Sequence, residues 1–76
     1  MATYVPKLKV GQLVRVYQKP RTLEEFEGYA RCTEFFRADD YGCEMWYVHF
    51  CDPKTLKTIP DESPGLRWIN LTGYKP

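Results

Sequence analysis

No stretch of this chain approaches the roughly 20 consecutive apolar residues that cross a bilayer as a helix, so a membrane-spanning protein is not expected. The opening residues, Met1-Ala2-Thr3-Tyr4-Val5-Pro6, lack the charged-then-apolar layout of a signal peptide, which argues against a secreted precursor. Cysteines number three (Cys32, Cys43 and Cys51), an odd count at uneven spacing. That pattern points away from a disulfide framework and towards a reducing, intracellular setting. There is one histidine, His49, and no glycine-rich phosphate loop. Helical periodicity is almost absent. Thr22-Leu23-Glu24-Glu25-Phe26 has a capping residue but room for only one turn. With 76 residues the chain forms one small domain and no more.

What is abundant is aromatic: six Tyr, four Phe and two Trp, more than a core of this size easily hides. Net charge is only +1, but its layout is segregated. Met1 to Arg21 holds five basic residues (Lys7, Lys9, Arg15, Lys19, Arg21) and no acid. Thr22 to Glu44 holds seven acids against Arg31 and Arg37, a local balance of −5. Such a chain can offer a basic edge to a polyanion, or its basic and acidic strands can pair and offset each other.

Strand signals dominate. Val10 to Tyr17 alternates, with Val14 and Val16 on one face and Leu13, Arg15 and Tyr17 on the other. Gly28 introduces a second strand, Tyr29 to Phe36, with Ala30 and Cys32 inward. Asp39-Asp40-Tyr41-Gly42 has turn chemistry. In a third strand, Glu44 to Cys51, Trp46, Val48 and Phe50 share one face, and Met45, Tyr47, His49 and Cys51 the other. Asp52-Pro53 ends it. Lys54 to Gly65 is a loop, and Leu66 to Leu71 a last short strand. Four or five strands with one long connection after the first predict an all-β fold: a small, SH3-like antiparallel barrel. Its expected core is Val10, Val14, Val16, Ala30, Cys32, Trp46, Val48, Ile69 and Leu71. The domain is expected over residues 7–72, with 1–6 and 73–76 as flexible ends.

Catalysis finds little support. Cys43, His49 and Cys51 share a strand face and Cys32 could join them, but the one close pair, His49 and Cys51, sits on an extended strand rather than a tight turn. A Cys–His dyad would have to use those same two residues, about 7 Å apart along a strand, too far for proton transfer. The acid pairs Asp39-Asp40 and Asp61-Glu62 lie in turns. No enzyme activity, metal or cofactor is expected. Binding is the remaining class. The outward faces gather Arg15, Tyr17, Tyr29, Arg31, Tyr47 and His49, and aromatic rings beside guanidinium groups stack on bases, hold peptides or receive a cation.

Several of these segments together resemble a chromo-barrel domain. They are Gly11 with Val14 and Val16, Tyr29-Ala30-Arg31-Cys32, Trp46-Tyr47-Val48-His49-Phe50, and Trp68-Ile69 with Leu71. The chromo barrel is the Tudor-knot relative of the chromodomain, found in MYST-type histone acetyltransferases and in MRG proteins. The likeness spans Leu8 to Leu71 and is most specific at Tyr47-Val48-His49-Phe50. It implies a non-catalytic, monomeric, nuclear, chromatin-associated module, such as the N-terminal domain of a MYST-type enzyme. Readers of this type hold methyl-lysine in an aromatic cage. Phe50 matches one cage position; another falls on Gly28, with Tyr29 one place off. Cys51-Asp52-Pro53-Lys54 replaces the family's tryptophans, and Leu66-Arg67 replaces an acidic pair before Trp68. A residual peptide site would therefore comprise Phe50, Tyr29 and Trp68, and a cation on Phe50 alone gains only about 0.5–1 kcal/mol. Members without a full cage are linked to RNA or partner proteins. The resemblance thus implies nucleic acid (RNA or DNA) or a histone or partner peptide as ligand. Lys7, Lys9, Arg15, Lys19 and Arg21 would meet phosphates, alongside Tyr17, Tyr29, Arg31 and Tyr47. The alternative is a free-standing SH3-like interaction protein, bacterial or viral, with no chromatin link.

Overall fold

The computed structural model describes residues 4–74. These form one antiparallel sheet in sequential order: β1 (Leu13–Lys19), β2 (Glu24–Ala38), β3 (Cys43–Phe50) and β4 (Gly65–Asn70). The expected all-β architecture is present. No helix among the described residues is long and apolar enough to cross a membrane.

The 15-residue β2 organises the rest. Its first half pairs with β1, from Lys19 opposite Glu24 to Leu13 opposite Arg31. Its second half pairs with β3, from Ala30 opposite Phe50 to Ala38 opposite Glu44. The ladders slip at Val16/Tyr17, at Cys32/Glu34 and at Phe35/Arg37. Each irregularity adds local twist and bends its strand, so the sheet curls over one apolar interior. No ladder joins β1 to β4. A side chain bridges that gap instead, with Asn70 Nδ2 donating to the Pro20 carbonyl just after β1 at 2.9 Å; Arg67 on β4 pairs with Glu27 on β2 at 3.1 Å.

The interior holds Val14, Val16, Ala30, Cys32, Trp46, Val48 and Ile69, as alternation predicts. Burial of each aliphatic side chain contributes about 1.5–3 kcal/mol before conformational entropy is set against it. Leu71 packs against this core from its margin. Val10 does not belong to it: the side chain is 72% exposed. A tight turn, in which Gln12 N–H donates to the Lys9 carbonyl at 3.0 Å and Gly11 adopts φ +86°, breaks the extended run before β1 begins. Leu8, on the other side of that turn, fills the core instead.

Three other expectations change. The long connection follows β3, not β1, because residues 20–23 make a short turn that starts β2 at Glu24. Residues 24–26, part of the best helical candidate yet too short for more than one turn, belong instead to β2: Tyr17 pairs across from Phe26 in the ladder, and their rings meet edge to face. Cys51, expected to face outward, is buried, because β3 ends at Phe50 and Cys51 turns in to bridge Thr58. Packing also reaches past residues 7 and 72. Tyr4 stacks on Phe35, and Tyr74 packs against the core margin. Residues 1–3 and 75–76 of the expected flexible ends lie outside the described residues.

Glu44 anchors the N-terminal segment. It is fully buried and shares its face with Trp46, yet it meets four donors: the Tyr4 hydroxyl, Lys7 N–H at 2.7 Å, Leu8 N–H at 3.2 Å and Trp46 Nε1–H at 3.0 Å. Burial pushes its carboxyl upward, but those donors outweigh burial and leave its pKa below the usual value.

Candidate nucleic-acid interface

Because β-strand side chains alternate, the residues between the core positions form a continuous outer face. On β1 and β2 this face carries Arg15 opposite Tyr29 and Leu13 opposite Arg31. Tyr17, Phe26 and Tyr29 form one aromatic run, each neighbouring pair edge to face with centroids 5.3 Å apart. Phe26 stands 50% exposed in the middle of the run. Arg15 lies beside it, and Tyr29, then Tyr17 and Tyr74, raise its pKa further, so its charge is fixed. The Tyr74 hydroxyl accepts the Arg15 N–H at 2.9 Å and pins this end of β1.

The five basic residues expected at phosphates divide into two groups. Lys19 pairs with Glu25 at 3.5 Å, and Arg21 pairs with Asp39 at 3.4 Å while lying 4.6 Å from the Tyr41 ring. Their charges are partly offset by acids from β2 and from the turn after it. Lys7, Lys9 and Arg15 are exposed and have no carboxylate within salt-bridge distance among the described residues. Arg31 is equally without a carboxylate and donates to the Gly11 carbonyl at 3.1 Å. His49, opposite Arg31, is held by its Nε2–H on the Ile59 carbonyl at 2.5 Å.

Tyr47 lies apart from the first aromatic run. Its ring meets Phe36 edge to face at 6.2 Å, and Arg37 lies over both Phe36 and Trp68. The expected residual peptide trio is likewise divided. Tyr29 and Phe50 line one recess of about 540 Å³, together with Phe26, Gly28, Ile59 and the acids Glu27 and Glu62. Trp68 instead lines a separate cleft with Pro20 and Arg21. Gly28 is required where it stands because its φ is +152°, a backbone conformation that residues with a Cβ rarely adopt.

No protein-family description, curated protein or solved structure matches this chain. The site rests on its own geometry.

Cys32, Cys43 and Cys51 are buried free thiols. Burial, and secondarily the Glu44 charge, push the Cys32 thiol up to about 12, which suppresses the nucleophilic thiolate. No three His, Cys, Asp or Glu side chains among the described residues come together as a metal site.

Sequence reasoning missed Phe26, Phe36 and Arg37. Phe26 sits within an acidic run that reads as a turn. The signal that could have found it was its place nine residues after Tyr17, across a short turn that admits a hairpin.

Proposed function

We propose that this chain is a non-catalytic binding module that docks single-stranded nucleic acid on its outer β1–β2 face. The observation that carries this reading is the contiguous Tyr17–Phe26–Tyr29 run beside Arg15, which has no carboxylate partner among the described residues. Base stacking on an exposed aromatic is worth about 1–3 kcal/mol per base and tolerates any sequence. Arg15 and Arg31 lie together at the Tyr29 end of the run, and Lys7 and Lys9 are further exposed cations of the segment before β1. Lys19 and Arg21 are lesser contributors, since a phosphate must compete with Glu25 and Asp39. On the chromo-barrel resemblance, the setting is a nuclear, chromatin-associated protein such as a MYST-type acetyltransferase. A histone-peptide mode has weaker support, because Trp68 stands away from Tyr29 and Phe50.

The test is a fluorescence-anisotropy titration of a 12-nucleotide single-stranded RNA at several salt concentrations. The double variant Arg15→Ala/Arg31→Ala lowers the slope of log K against log salt by about 1.4, at about 0.7 for each phosphate no longer neutralised. An unchanged slope contradicts the assignment. Binding that ignores salt but selects among peptides would favour the protein-interaction alternative.

A further inference from the structure

The stacking run does not stop at Tyr17. That residue also lines a groove of about 280 Å³ with Pro20, Leu66 and Trp68, along the seam where β1 and β4 share no ladder. Pro20 and Trp68 are at the same time walls of the neighbouring cleft, of about 470 Å³. A strand laid over Tyr29, Phe26 and Tyr17 is thereby led to the Trp68 indole.

The cleft suits one flat, uncharged ring. Its volume lies within the range of about 300–1,000 Å³ that small-molecule sites occupy. The Trp68 indole and the Pro20 ring supply apolar walls, and Cys43, itself buried, adds a third. Arg37, which is not part of the lining, lies over the Trp68 ring at 5.6 Å and braces it. Charges at the rim balance, with Lys19 and Arg21 against Glu24 and Asp39. A phosphate or an ammonium group gains little there, whereas a base gains a stacking surface.

The rim also distinguishes one base from another. Asp39 is already engaged: Oδ1 accepts the Tyr41 and Cys43 amides, each at 2.9 Å, and Oδ2 faces Arg21 at 3.4 Å. Glu24 is exposed and has no basic group within salt-bridge distance among the described residues. A carboxylate accepts two parallel N–H bonds, as it does from a guanidinium. Guanine offers that fork from N1–H and its 2-amino group; uracil, cytosine and adenine do not.

We infer that the Trp68 cleft receives one guanine of a strand bound on the β1–β2 face, stacked on the indole and hydrogen-bonded to Glu24. The inference rests on the nucleic-acid reading and adds base selectivity to it.

The experiment titrates the full chain, by fluorescence anisotropy at constant salt, with a 12-nucleotide oligouridylate and with the same RNA carrying one central guanosine or inosine. The guanosine RNA binds about tenfold more tightly than oligouridylate, and inosine, which lacks the 2-amino group, loses most of that gain. Glu24→Gln removes the difference between the guanosine and uridine RNAs. Trp68→Ala removes it too, and Trp68→Phe keeps a part, which separates lost stacking from a disturbed fold. Equal affinities for the three RNAs, or a guanosine preference that survives Glu24→Gln, overturn the inference, while salt-dependent binding of oligouridylate leaves the nucleic-acid reading standing. Binding of none of the RNAs overturns both.

Discussion

Glu44→Ala leaves the chain largely unfolded at room temperature. Truncation abandons four donors: the Leu8 amide and the Trp46 indole in the interior, and the Tyr4 hydroxyl and Lys7 amide nearer the surface. Hydrogen bonds to a charged group are worth about 1.5–3 kcal/mol, and a buried group left unpaired costs its desolvation. A total loss of about 3–5 kcal/mol matches the whole net stability that a core in this size range supplies. Glu44→Gln keeps the volume and one acceptor, and retains the fold with reduced stability. Urea titration followed by tryptophan fluorescence separates the two variants; equal midpoints for Glu44→Ala and wild type would contradict this role.

The same carboxylate sets the acid limb of stability. Its folded pKa is depressed, so its contribution is complete above the unfolded value of about 4.5 and is lost as pH falls through the folded value. Asp39 acts in the same direction: burial raises its pKa, but the Cys43 and Tyr41 amides, with Arg21, lower it overall. At the alkaline end the sign reverses. Tyr4 is raised from 10.0 to about 12, by burial first and then by its bond to Glu44, so it stabilises the fold below pH 10 and ceases to as pH climbs towards 12. In Glu44→Gln the acid limb flattens while Asp39 still titrates.

Trp46→Ala has the second largest effect, a loss of about 3–5 kcal/mol. The ring is 2% exposed, meets Phe35 edge to face at 5.6 Å and donates to Glu44, so truncation opens a cavity and removes a donor together. Trp68→Ala, on the outer face beneath Arg37, costs about 1 kcal/mol or less. Thermal melts of the two variants measure the contrast, and similar losses would mean that the inside and outside of the sheet are wrongly assigned.

That assignment was the most legible part of the sequence. Alternation in Val14-Arg15-Val16, Ala30-Arg31-Cys32 and Trp46-Tyr47-Val48 needs only the two-residue period of a strand to separate core from surface. The same rule failed at Val10 because a glycine turn resets the count. It said nothing of Leu8, which belongs to no periodic run. Glu44 was illegible for another reason: a charged residue reads as surface until tertiary structure brings donors 36 to 40 residues away in sequence. At the site, Tyr17, Tyr29 and Arg15 were found by their outward phase. Phe26 depended on hairpin register, and the Arg67–Glu27 pair on curvature that brings β4 to β2. That Leu66-Arg67 stands before Trp68 was visible in the sequence; that the Arg67 guanidinium lies over the Phe50 ring was not.

The central claim is tested most directly by mapping amide shifts of the full chain against a single-stranded RNA at low and at physiological salt. The account predicts perturbations at Arg15, Tyr17, Phe26, Tyr29 and Arg31 that weaken as salt rises. Shifts confined to Phe50, Ile59 and Glu62, or none on β1 and β2, would contradict it.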